Sequence, residues 1–492
     1  MKKYIYLLGF VVFTSVMLTS ASVHNYLGYK MMTDDYVLVL PDEPFDYENV
    51  LVPDQYESWG SMFGINNDRM DNITNKGATL GRVLFYDRKL SVNESIACAS
   101  CHKQEHGFAD NKQFSDGFDG QIGERNAINI ADLGFTHYGQ LLWEDSHADL
   151  AEMSLLPLEN GIEMGIEMNA LVARLQQTDY YPPLFEEAFG TPIVTAERIG
   201  MAMEQFMSSI AAVNTKLDQG MANEFANFTS QELEGLTIFR QHCQSCHTQI
   251  PTFNSFDEMM GSGDILIDAF GIFGNVFSGG AQNIGLDESY ADQGMANFTG
   301  NSFDVGKFKI PNLKNVALSA PYMHDGRFES LEDVVNFYSE EVKEHENSTF
   351  VNNPFYDNLN EPGETFTGFD FDEDQKTALV AFLHTLTDHV VTNSEMWSDP
   401  FKLVSDVPVL SNNESDASVS PNPFRSATTI DLGDTNGEES TIKITQLDGK
   451  LVKSYTTNDP KYTLQRGNLS AGTYLLEIHS ATKQSIHKII VQ

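Results

Sequence analysis

The chain has 492 residues, with 70 acidic against 30 basic side chains and a formal net charge of −40. Single hydrophobic cores stop growing at roughly 250–300 residues, so this length predicts two or three structural units. The 41% hydrophobic content excludes a globally disordered chain. The negative charge disfavours nucleic acid and anionic lipid as partners, because both would be repelled. With only 4 cysteines, the chain is not a scaffold held together by disulfides.

The first residues have the pattern of a secretory signal peptide. A basic start (Lys2, Lys3) precedes an apolar run from Tyr4 to Leu18 and a segment of small residues that ends at Ser22. A membrane-anchoring helix is the alternative, but the run is shorter than the roughly 20 residues that a span needs. We therefore expect residues 1–22 to be a cleaved signal peptide, residues 23–70 to be an N-terminal extension, and the protein to be exported.

All four cysteines lie in two copies of the pattern C-x-x-C-H, which is the attachment signature of c-type haem. The two thiols add to the haem vinyl groups, and the adjacent imidazole binds the iron. A redox cysteine pair or half of a zinc site is the alternative, but neither requires the histidine, and neither explains two copies without a leftover cysteine. We expect two covalently bound haem c groups, held by Cys98, Cys101 and His102 and by Cys243, Cys246 and His247.

Apolar residues recur with helical spacing around both motifs. One stripe lies within Thr195–Leu217, a capped helix is predicted over Ser230–Phe239, and a further stripe lies within Asp374–Leu386. We interpret these stripes as core-forming rather than as contacts to a cofactor. The sequence therefore predicts a mainly α fold with two cytochrome c-like helical haem domains, at residues 71–225 and 226–392.

The composition changes after residue 392. Segment 393–417 is rich in Ser, Asn, Asp and Pro, which is typical of a linker. Short β-type runs and turn pairs such as Asp448-Gly449 follow it, and they predict a small antiparallel all-β sandwich at residues 418–492. From Asn412 onward there are 9 acidic and 8 basic residues, so −39 of the net charge lies upstream of this tail.

Four short motifs mark the tail, at Ser420–Phe424, Leu447–Lys450, Leu469–Tyr474 and Lys488–Gln492. In this order they resemble the C-terminal type A sorting domain of the type IX secretion system of Bacteroidetes. The resemblance implies recognition by the outer-membrane secretion machinery, followed by release or surface attachment. An ordinary β-sandwich binding domain is the alternative.

A series of motifs between Gly77 and Asp388 surrounds the two haem signatures. Together they resemble the bacterial dihaem cytochrome c peroxidase family, including its methylamine-utilisation (MauG)-like members. The resemblance implies an N-terminal haem at which hydrogen peroxide binds and a C-terminal haem that relays electrons. The matching motifs are Leu80–Asp87, Gly107–Asp110, Gly123–Ala127, Leu142–Asp145, Gly161–Gly165, Phe308–Val316 and Ala320–Phe328.

The resemblance also assigns roles to single residues. Glu163 stands where the family has the acid/base for peroxide cleavage, and Trp143 stands where an indole relays charge between the haems; a solvated loop carboxylate and a core tryptophan are the alternatives. Tyr338 aligns with the distal iron ligand of the C-terminal haem, and a packed tyrosine with Met323 as the ligand is the alternative. The family further implies one calcium ion, with oxygen ligands from Asn126, Ser319 and Pro321.

The chain departs from typical family members in the loop at residues 115–121. Typical members carry a histidine there that blocks the peroxidatic haem until its partner is reduced, whereas this chain has Phe118, which cannot bind iron. We hypothesise that the N-terminal haem stays open without reductive activation, with His106 and His137 as the alternative ligands. Met153 is a further departure, since typical members have a glutamine near the active haem.

These residues predict a dihaem c-type peroxidase that reduces hydrogen peroxide with electrons from an unknown donor, either a small cytochrome or another redox protein. A peroxide-driven MauG-like oxidase of a protein or a small molecule, acting through high-valent iron, is the alternative within the family. A non-catalytic dihaem electron carrier is the alternative of another class. The family often forms homodimers, and the expected location is the periplasm, followed by the cell surface or the medium.

Overall fold

In a computed structural model of the chain, helices dominate residues 68–403 and strands dominate the tail. The structure describes residues 32–33, 36–50, 68–135, 141–146, 149–244, 246–247, 281–350, 366–403, 417–433, 439–446, 451–467, 469–470, 472–480 and 484–491. The predicted signal peptide and His137 lie outside these ranges. Within them, no helix is long and apolar enough to cross a membrane.

Twelve helices occur in the described ranges, and several begin at a side-chain cap. At the start of the helix that leads to the second C-x-x-C-H motif, Thr229 and Glu232 form a reciprocal capping box. The observed cap is therefore Thr229, one residue before the predicted start at Ser230. The helices are α1 (Asp68–Asp71), α2 (Asn75–Tyr86), α3 (Leu150–Glu159), α4 (Met168–Gln176), α5 (Tyr181–Phe189), α6 (Ala196–Ser209), α7 (Lys216–Met221), α8 (Ser230–His242), α9 (Ala296–Thr299), α10 (Leu331–Asn336), α11 (Glu373–His384) and α12 (His389–Asn393).

The strands of the described residues are short in the helical part and longer in the tail. They are β1 (Met32–Thr33), β2 (Tyr36–Leu38), β3 (Ala281–Gln282), β4 (Phe308–Lys309), β5 (Phe401–Leu403), β6 (Ser418–Ser420), β7 (Ala427–Asp431), β8 (Ser440–Gln446), β9 (Leu451–Thr457), β10 (Lys461–Gln465), β11 (Gly472–His479) and β12 (Gln484–Val491).

Two apolar cores of the helical part repeat one packing arrangement. In the first core α2 packs against α6 at Gly81, where an added Cβ would lie 1.9 Å from the Ala202 carbonyl oxygen. In the second core α8 packs against α11 at Gly235, where an added Cβ would lie 1.9 Å from the Ala378 carbonyl oxygen. Each glycine therefore permits a close approach of two helices beside a C-x-x-C-H motif.

The predicted helical stripe that ends at Leu217 is longer than the helix itself. α6 stops at Ser209, because the following backbone bonds to the buried Asp132 instead of continuing the helical ladder. The Asp132 N–H donates to the Ile210 carbonyl at 2.7 Å, and the Ala212 N–H donates to Asp132 Oδ1 at 2.6 Å. A tertiary contact thus overrides the helical periodicity.

The first core is closed by two segments that are distant in sequence, residues 36–47 and 389–403, which we call the clasp. β5 pairs antiparallel with β2, and Trp397 is 5% exposed within the first core. The Tyr86 hydroxyl donates to the Trp397 carbonyl at 2.6 Å, and the Trp397 indole donates to the Ser209 hydroxyl at 3.2 Å. The predicted linker at 393–417 is therefore wrong for residues 393–403, because a tryptophan there buries its side chain.

The tail forms two antiparallel sheets in its described residues, with strand orders β10-β7-β6 and β12-β11-β8-β9. Alternate apolar side chains from both sheets share one core, which includes Phe424, Ile442 and Leu476. The strands β7, β8, β9 and β11 coincide with four β-type runs of the sequence, namely Thr428–Leu432, Thr441–Gln446, Leu451–Thr456 and Tyr474–Ile478. The sequence does not predict β6, β10 and β12. The predicted turn at Asp448-Gly449 lies outside the described residues. The prediction of a helical part followed by a β-rich C-terminal region is confirmed.

Candidate haem sites

The two C-x-x-C-H motifs fold into the same backbone turn. In the first, the N–H groups of Cys101 and His102 donate to the Cys98 carbonyl at 3.1 and 2.9 Å, and the second motif repeats both distances at the Cys243 carbonyl. None of the four cysteines forms a disulfide, and burial raises the pKa of the Cys98 and Cys243 thiols to about 12. Redox pairs and zinc ligands need accessible thiolates, so these neutral, buried thiols fit thioether attachment better.

Both motif histidines are oriented by a backbone carbonyl. His102 Nδ1 lies 3.0 Å from the Phe108 oxygen, and His247 Nδ1 lies 3.2 Å from the Pro311 oxygen. Burial lowers the pKa of His102 and lowers that of His247 to about 4, so both rings are neutral at physiological pH. A neutral imidazole that donates from Nδ1 keeps Nε2 available for a metal, and both histidines therefore fit the proximal ligand of a haem.

A large apolar cavity adjoins the second motif. Its walls include Cys243, Cys246 and His247 on one side, and Tyr338 and Met323 also line it. Tyr338 belongs to a single π-helical turn, Phe337–Glu341, that follows α10, and burial raises its pKa. Two thiols, a neutral imidazole and an apolar wall suit a covalently attached haem.

Trp143 lines this cavity and also bonds to a residue that follows the first motif. Its indole N–H donates to the Asn126 carbonyl at 2.8 Å, and its own carbonyl accepts from the Lys309 N–H at 2.8 Å. Asn126 follows the first motif in sequence, whereas Lys309 lies on β4 beside the second motif. Trp143 therefore bonds to both parts of the helical region, through its indole to one and its backbone to the other, and it lines the cavity.

The three predicted calcium ligands come together at the same cavity. Asn126, Ser319 and Pro321 all line it, and the Asn126 amide nitrogen donates to the carbonyls of Lys112 and Gln113 at 3.1 and 3.3 Å. In the described part of the chain, no cluster of three or more His, Cys, Asp or Glu side chains could hold a metal ion. Calcium at the neutral oxygens of these three residues stays a prediction.

Glu163 lies beside the first motif. Burial is the main cause of the raised pKa of the Cys98 and Cys101 thiols, and the negative charge of Glu163 raises it further. Partial desolvation raises the pKa of Glu163 itself, although its side chain is exposed to solvent. The Asn160 side-chain amide donates to Glu163 Oε1 at 3.1 Å. The structure thus brings a positioned carboxylate to the first motif.

The loop that carries Phe118 is attached to the turn that carries Glu163. The Phe118 N–H donates to the Glu163 carbonyl at 2.9 Å, and its ring lies so close to Gly165 that an added Cβ there would be 2.5 Å from a ring carbon. A non-ligating ring is therefore fixed beside the acid. His106, the alternative ligand, has Nδ1 at 3.3 Å from the Leu318 carbonyl oxygen.

Sequence reasoning missed one buried ion pair and two further charged groups of shifted pKa near the cavity. Lys314 is 1% exposed and its ammonium donates to both carboxylate oxygens of Asp218 at 2.8 Å. Burial lowers the pKa of Lys309 to about 8, and desolvation raises the pKa of Asp145, two residues after Trp143, to about 7. The available signal was two lysines inside the motif Phe308–Val316, whose other residues are uncharged.

Two parts of the chain match known protein families. Residues 75–226 match the family model for di-haem cytochrome c peroxidase, and residues 418–492 match that for the secretion system C-terminal sorting domain. The methylamine utilization protein MauG of Paracoccus denitrificans is 29% identical over 354 residues, which cover 63% of this chain and 88% of MauG. The cytochrome c551 peroxidase of Nitrosomonas europaea is 28% identical over 311 residues, which cover 63% of this chain and 79% of that protein.

Solved structures agree with these relationships. A MauG-like protein associated with microbial copper homeostasis aligns with a TM-score of 0.54 and 29% identity, covering 67% of this chain and 94% of that one. The diheme peroxidase BthA from Burkholderia thailandensis aligns with a TM-score of 0.51 and 21% identity, covering 75% of this chain and 96% of that one, and supports the fold alone. Residues 75–226 therefore match the family of di-haem cytochrome c peroxidases and MauG, whose named members are oxidoreductases and which implies two c-type haems, and residues 418–492 match a secretion-system sorting domain.

Proposed function

We propose that the protein is an exported peroxidase that reduces hydrogen peroxide at the first motif, with electrons relayed through the second. The observation that carries this proposal is Glu163, a carboxylate of raised pKa next to Cys98 and Cys101. When bound there through His102, a haem iron supplies electrons to the O–O bond and a site for one peroxide oxygen. Overall, one peroxide, two electrons and two protons give two waters.

In this mechanism Glu163 moves the proton that the O–O cleavage requires. Its carboxylate takes a proton from the inner oxygen of peroxide and returns it to the outer oxygen, which leaves as water. The Asn160 amide holds Glu163 Oε1 at 3.1 Å and thereby orients the carboxylate. A raised pKa suits this exchange, because a carboxyl group with a pKa nearer to neutrality gives its proton back more readily than one of ordinary acidity.

The two motifs lie in separate haem domains, at residues 71–225 and 226–392. Two distinct apolar cores support this division, as does the repeated close helix contact at Gly81 and Gly235. Trp143 then relays charge between the domains, since its indole contacts Asn126 from the first and adjoins the cavity of the second.

Tyr338 is the distal ligand of the second haem in this proposal. It faces the cavity together with the second motif, and the π turn that carries it is a local irregularity of the kind often found at functional sites. Met323 lines the same cavity and serves as the matched control. Tyr338→Phe should shift the absorbance bands of the low-spin haem, whereas Met323→Leu should leave them in place; the reverse result would assign Met323 as the ligand.

A MauG-like oxidase is the second candidate, and Phe118 together with Tyr338 favours it. Phe118 leaves the first site without a blocking histidine, and an anionic phenolate donor stabilises oxidised iron more than a thioether does. The substrate would then be a protein or a small organic molecule. An electron carrier without catalytic activity is disfavoured by the carboxylate beside the first motif.

One experiment separates these functions. One equivalent of peroxide is added to the fully oxidised protein, and the haem absorbance is followed by stopped flow. A fast change without prior reduction, discharged with oxidation of two equivalents of a reduced cytochrome per peroxide, supports the peroxidase with an open site; discharge only by an organic substrate supports the oxidase. A change that occurs only after half-reduction contradicts the open site. No reaction in either the oxidised or the half-reduced protein contradicts both enzymatic functions and supports the electron carrier.

The sorting domain directs this enzyme across the outer membrane, after passage through the periplasm, to the cell surface or the medium. The match of residues 418–492 to the sorting-domain family supports this route. A chain truncated after residue 417 should keep its haems and accumulate in the periplasm. Its appearance in the medium at the level of the full chain would contradict the proposal.

A further inference from the structure

The carbonyls that orient the two motif histidines are connected through two segments that touch each other, residues 129–132 and 312–314. The Phe108 carbonyl accepts from His102 and also from the Ile130 N–H at 3.4 Å, which links it to residues 129–132. The Pro311 carbonyl accepts from His247 and directly precedes Asn312. Each histidine is therefore oriented by a segment whose own position is fixed by further hydrogen bonds.

Two side-chain hydrogen bonds cross between these segments. The Asn312 amide donates to Asp132 Oδ2 at 3.0 Å, and the Asn129 amide donates to the Lys314 carbonyl at 2.7 Å. We call these four residues the proximal bridge. The two bonds run in opposite directions, so a relative movement of the two segments would break both.

The proximal bridge is anchored at both ends by buried groups. Asp132 is 3% exposed, and its second oxygen accepts from the Ala212 N–H at 2.6 Å. Lys314 is 1% exposed and is paired with Asp218 at 2.8 Å. Because buried charged groups are costly unless they are paired, neither anchor can move without a large loss of interaction energy. The bridge is therefore held in one arrangement.

We propose that Asp132, Asn129 and Asn312 are positioning residues that connect the proximal sides of the two haem sites, so that the hydrogen bond on each histidine depends on the same bridge. This inference rests on the proposed function only in assuming that both motifs carry a haem. The connection is separate from Trp143, which contacts Asn126, Lys309 and His324. The proximal bridge fixes the orientation of both proximal histidines together, and it is not a path for electron transfer.

The expected effect follows from the histidine hydrogen bond. A firm Nδ1–H···O=C bond makes the imidazole a more basic ligand, which stabilises oxidised iron and lowers the reduction potential. Loosening the bridge should weaken this bond at both His102 and His247. Both haems should then become easier to reduce in a single variant, although the variant changes neither histidine.

The test compares Asn312→Ala and Asn129→Ala with the wild-type holoprotein by spectroelectrochemical titration. In each variant both haem potentials should shift upward. Gln176→Ala is the matched control, since it removes amide hydrogen bonds to Pro192 and Val194 at 3.0 and 2.9 Å at the exposed end of α4 but touches neither segment; it should shift neither potential. A shift of only one haem, no shift, or an equal shift in the control would overturn the proposal.

Two further measurements keep the result interpretable. Haem content per chain is determined by the pyridine haemochrome spectrum; fewer than two haems in the wild type would contradict the proposed function, whereas two haems with unmoved variant potentials would contradict only the bridge. If Asn312→Ala does not fold because Asp132 loses a donor, Asn129→Ala carries the test, since it removes the other bond and leaves the Asp132 carboxylate contacts in place.

Discussion

Replacement of Glu163 by glutamine tests the proposed chemistry most directly. Glutamine has nearly the same shape and keeps an oxygen that can accept from the Asn160 amide, now at 3.1 Å from Glu163 Oε1. It cannot take up and return a proton. The substitution therefore removes the acid/base function while the turn that carries Phe118 keeps its backbone bond to residue 163.

The magnitude follows from the role of the carboxylate. A positioned acid/base contributes about 10²–10⁴-fold to a rate, which corresponds to about 3–5 kcal/mol of activation free energy. The pH dependence has a defined sign. Because the deprotonated form of Glu163 receives the first proton and its pKa is raised, the wild-type rate should fall as the pH falls through a value above the ordinary carboxyl range. The Glu163→Gln variant should lack this limb.

The assay is stopped-flow measurement of the second-order rate of haem absorbance change with peroxide, from pH 4 to pH 8. Glu159→Gln is the matched control, because Glu159 ends the preceding helix α3 and its carboxylate accepts a hydrogen bond from the Met168 N–H at 3.2 Å. It should react as the wild type does. A Glu163→Gln rate within threefold of wild type, or an unchanged acid limb, would refute the assignment of Glu163 as the acid/base.

Three further predictions concern stability, measured by urea unfolding. Trp397→Ala should cost about 3–5 kcal/mol, because its side chain is 5% exposed, whereas Ile193→Ala, at 58% exposure, should change stability by less than about 1 kcal/mol. Gly235→Ala should cost about 1–3 kcal/mol, since its Cβ would meet a carbonyl oxygen at 1.9 Å, and Gly161→Ala, with no atom within 4 Å, is its control. Burial raises the pKa of Asp132 from 3.8 to about 6, so the free energy of unfolding should fall by about 3 kcal/mol as the pH rises from about 4 to above 6. Asp132→Asn should remove this pH dependence. An equal dependence of the unfolding free energy on pH in both proteins would contradict the raised pKa.

The haem ligands could be predicted from sequence because their chemistry is local. Two thiols and an imidazole within five residues form one turn, and the structure repeats that turn with the same distances at Cys98 and Cys243. Glu163 is different, since a lone glutamate carries no signal of its own. Its place beside the first motif could be predicted only from the family motifs around it.

The remaining features depend on contacts between distant residues. The end of α6 is set by Asp132, more than 70 positions earlier in the chain, and no periodicity within α6 encodes that contact. Trp397 lies in a segment of linker-like composition, yet it fills the first core. In the tail, Lys488 and His487 interrupt the apolar alternation of β12, although this strand pairs with β11 from Gly472 to His479. Tertiary pairing, rather than local preference, determines these elements.

The clasp has a consequence for the biogenesis of the enzyme. The Tyr86–Trp397 bond spans 311 positions and the Tyr47–Met396 bond spans 349 positions, so the first core closes only after the ribosome has made the second. Contacts of such long sequence separation form late in folding, because the loop between them must be ordered first. Haem attachment at Cys98 can therefore precede completion of the core around it. Residues 75–226 match the peroxidase family, but the first core also needs Val391 and Trp397, which lie outside that range. That segment is a unit of sequence similarity, but it is not a unit of folding.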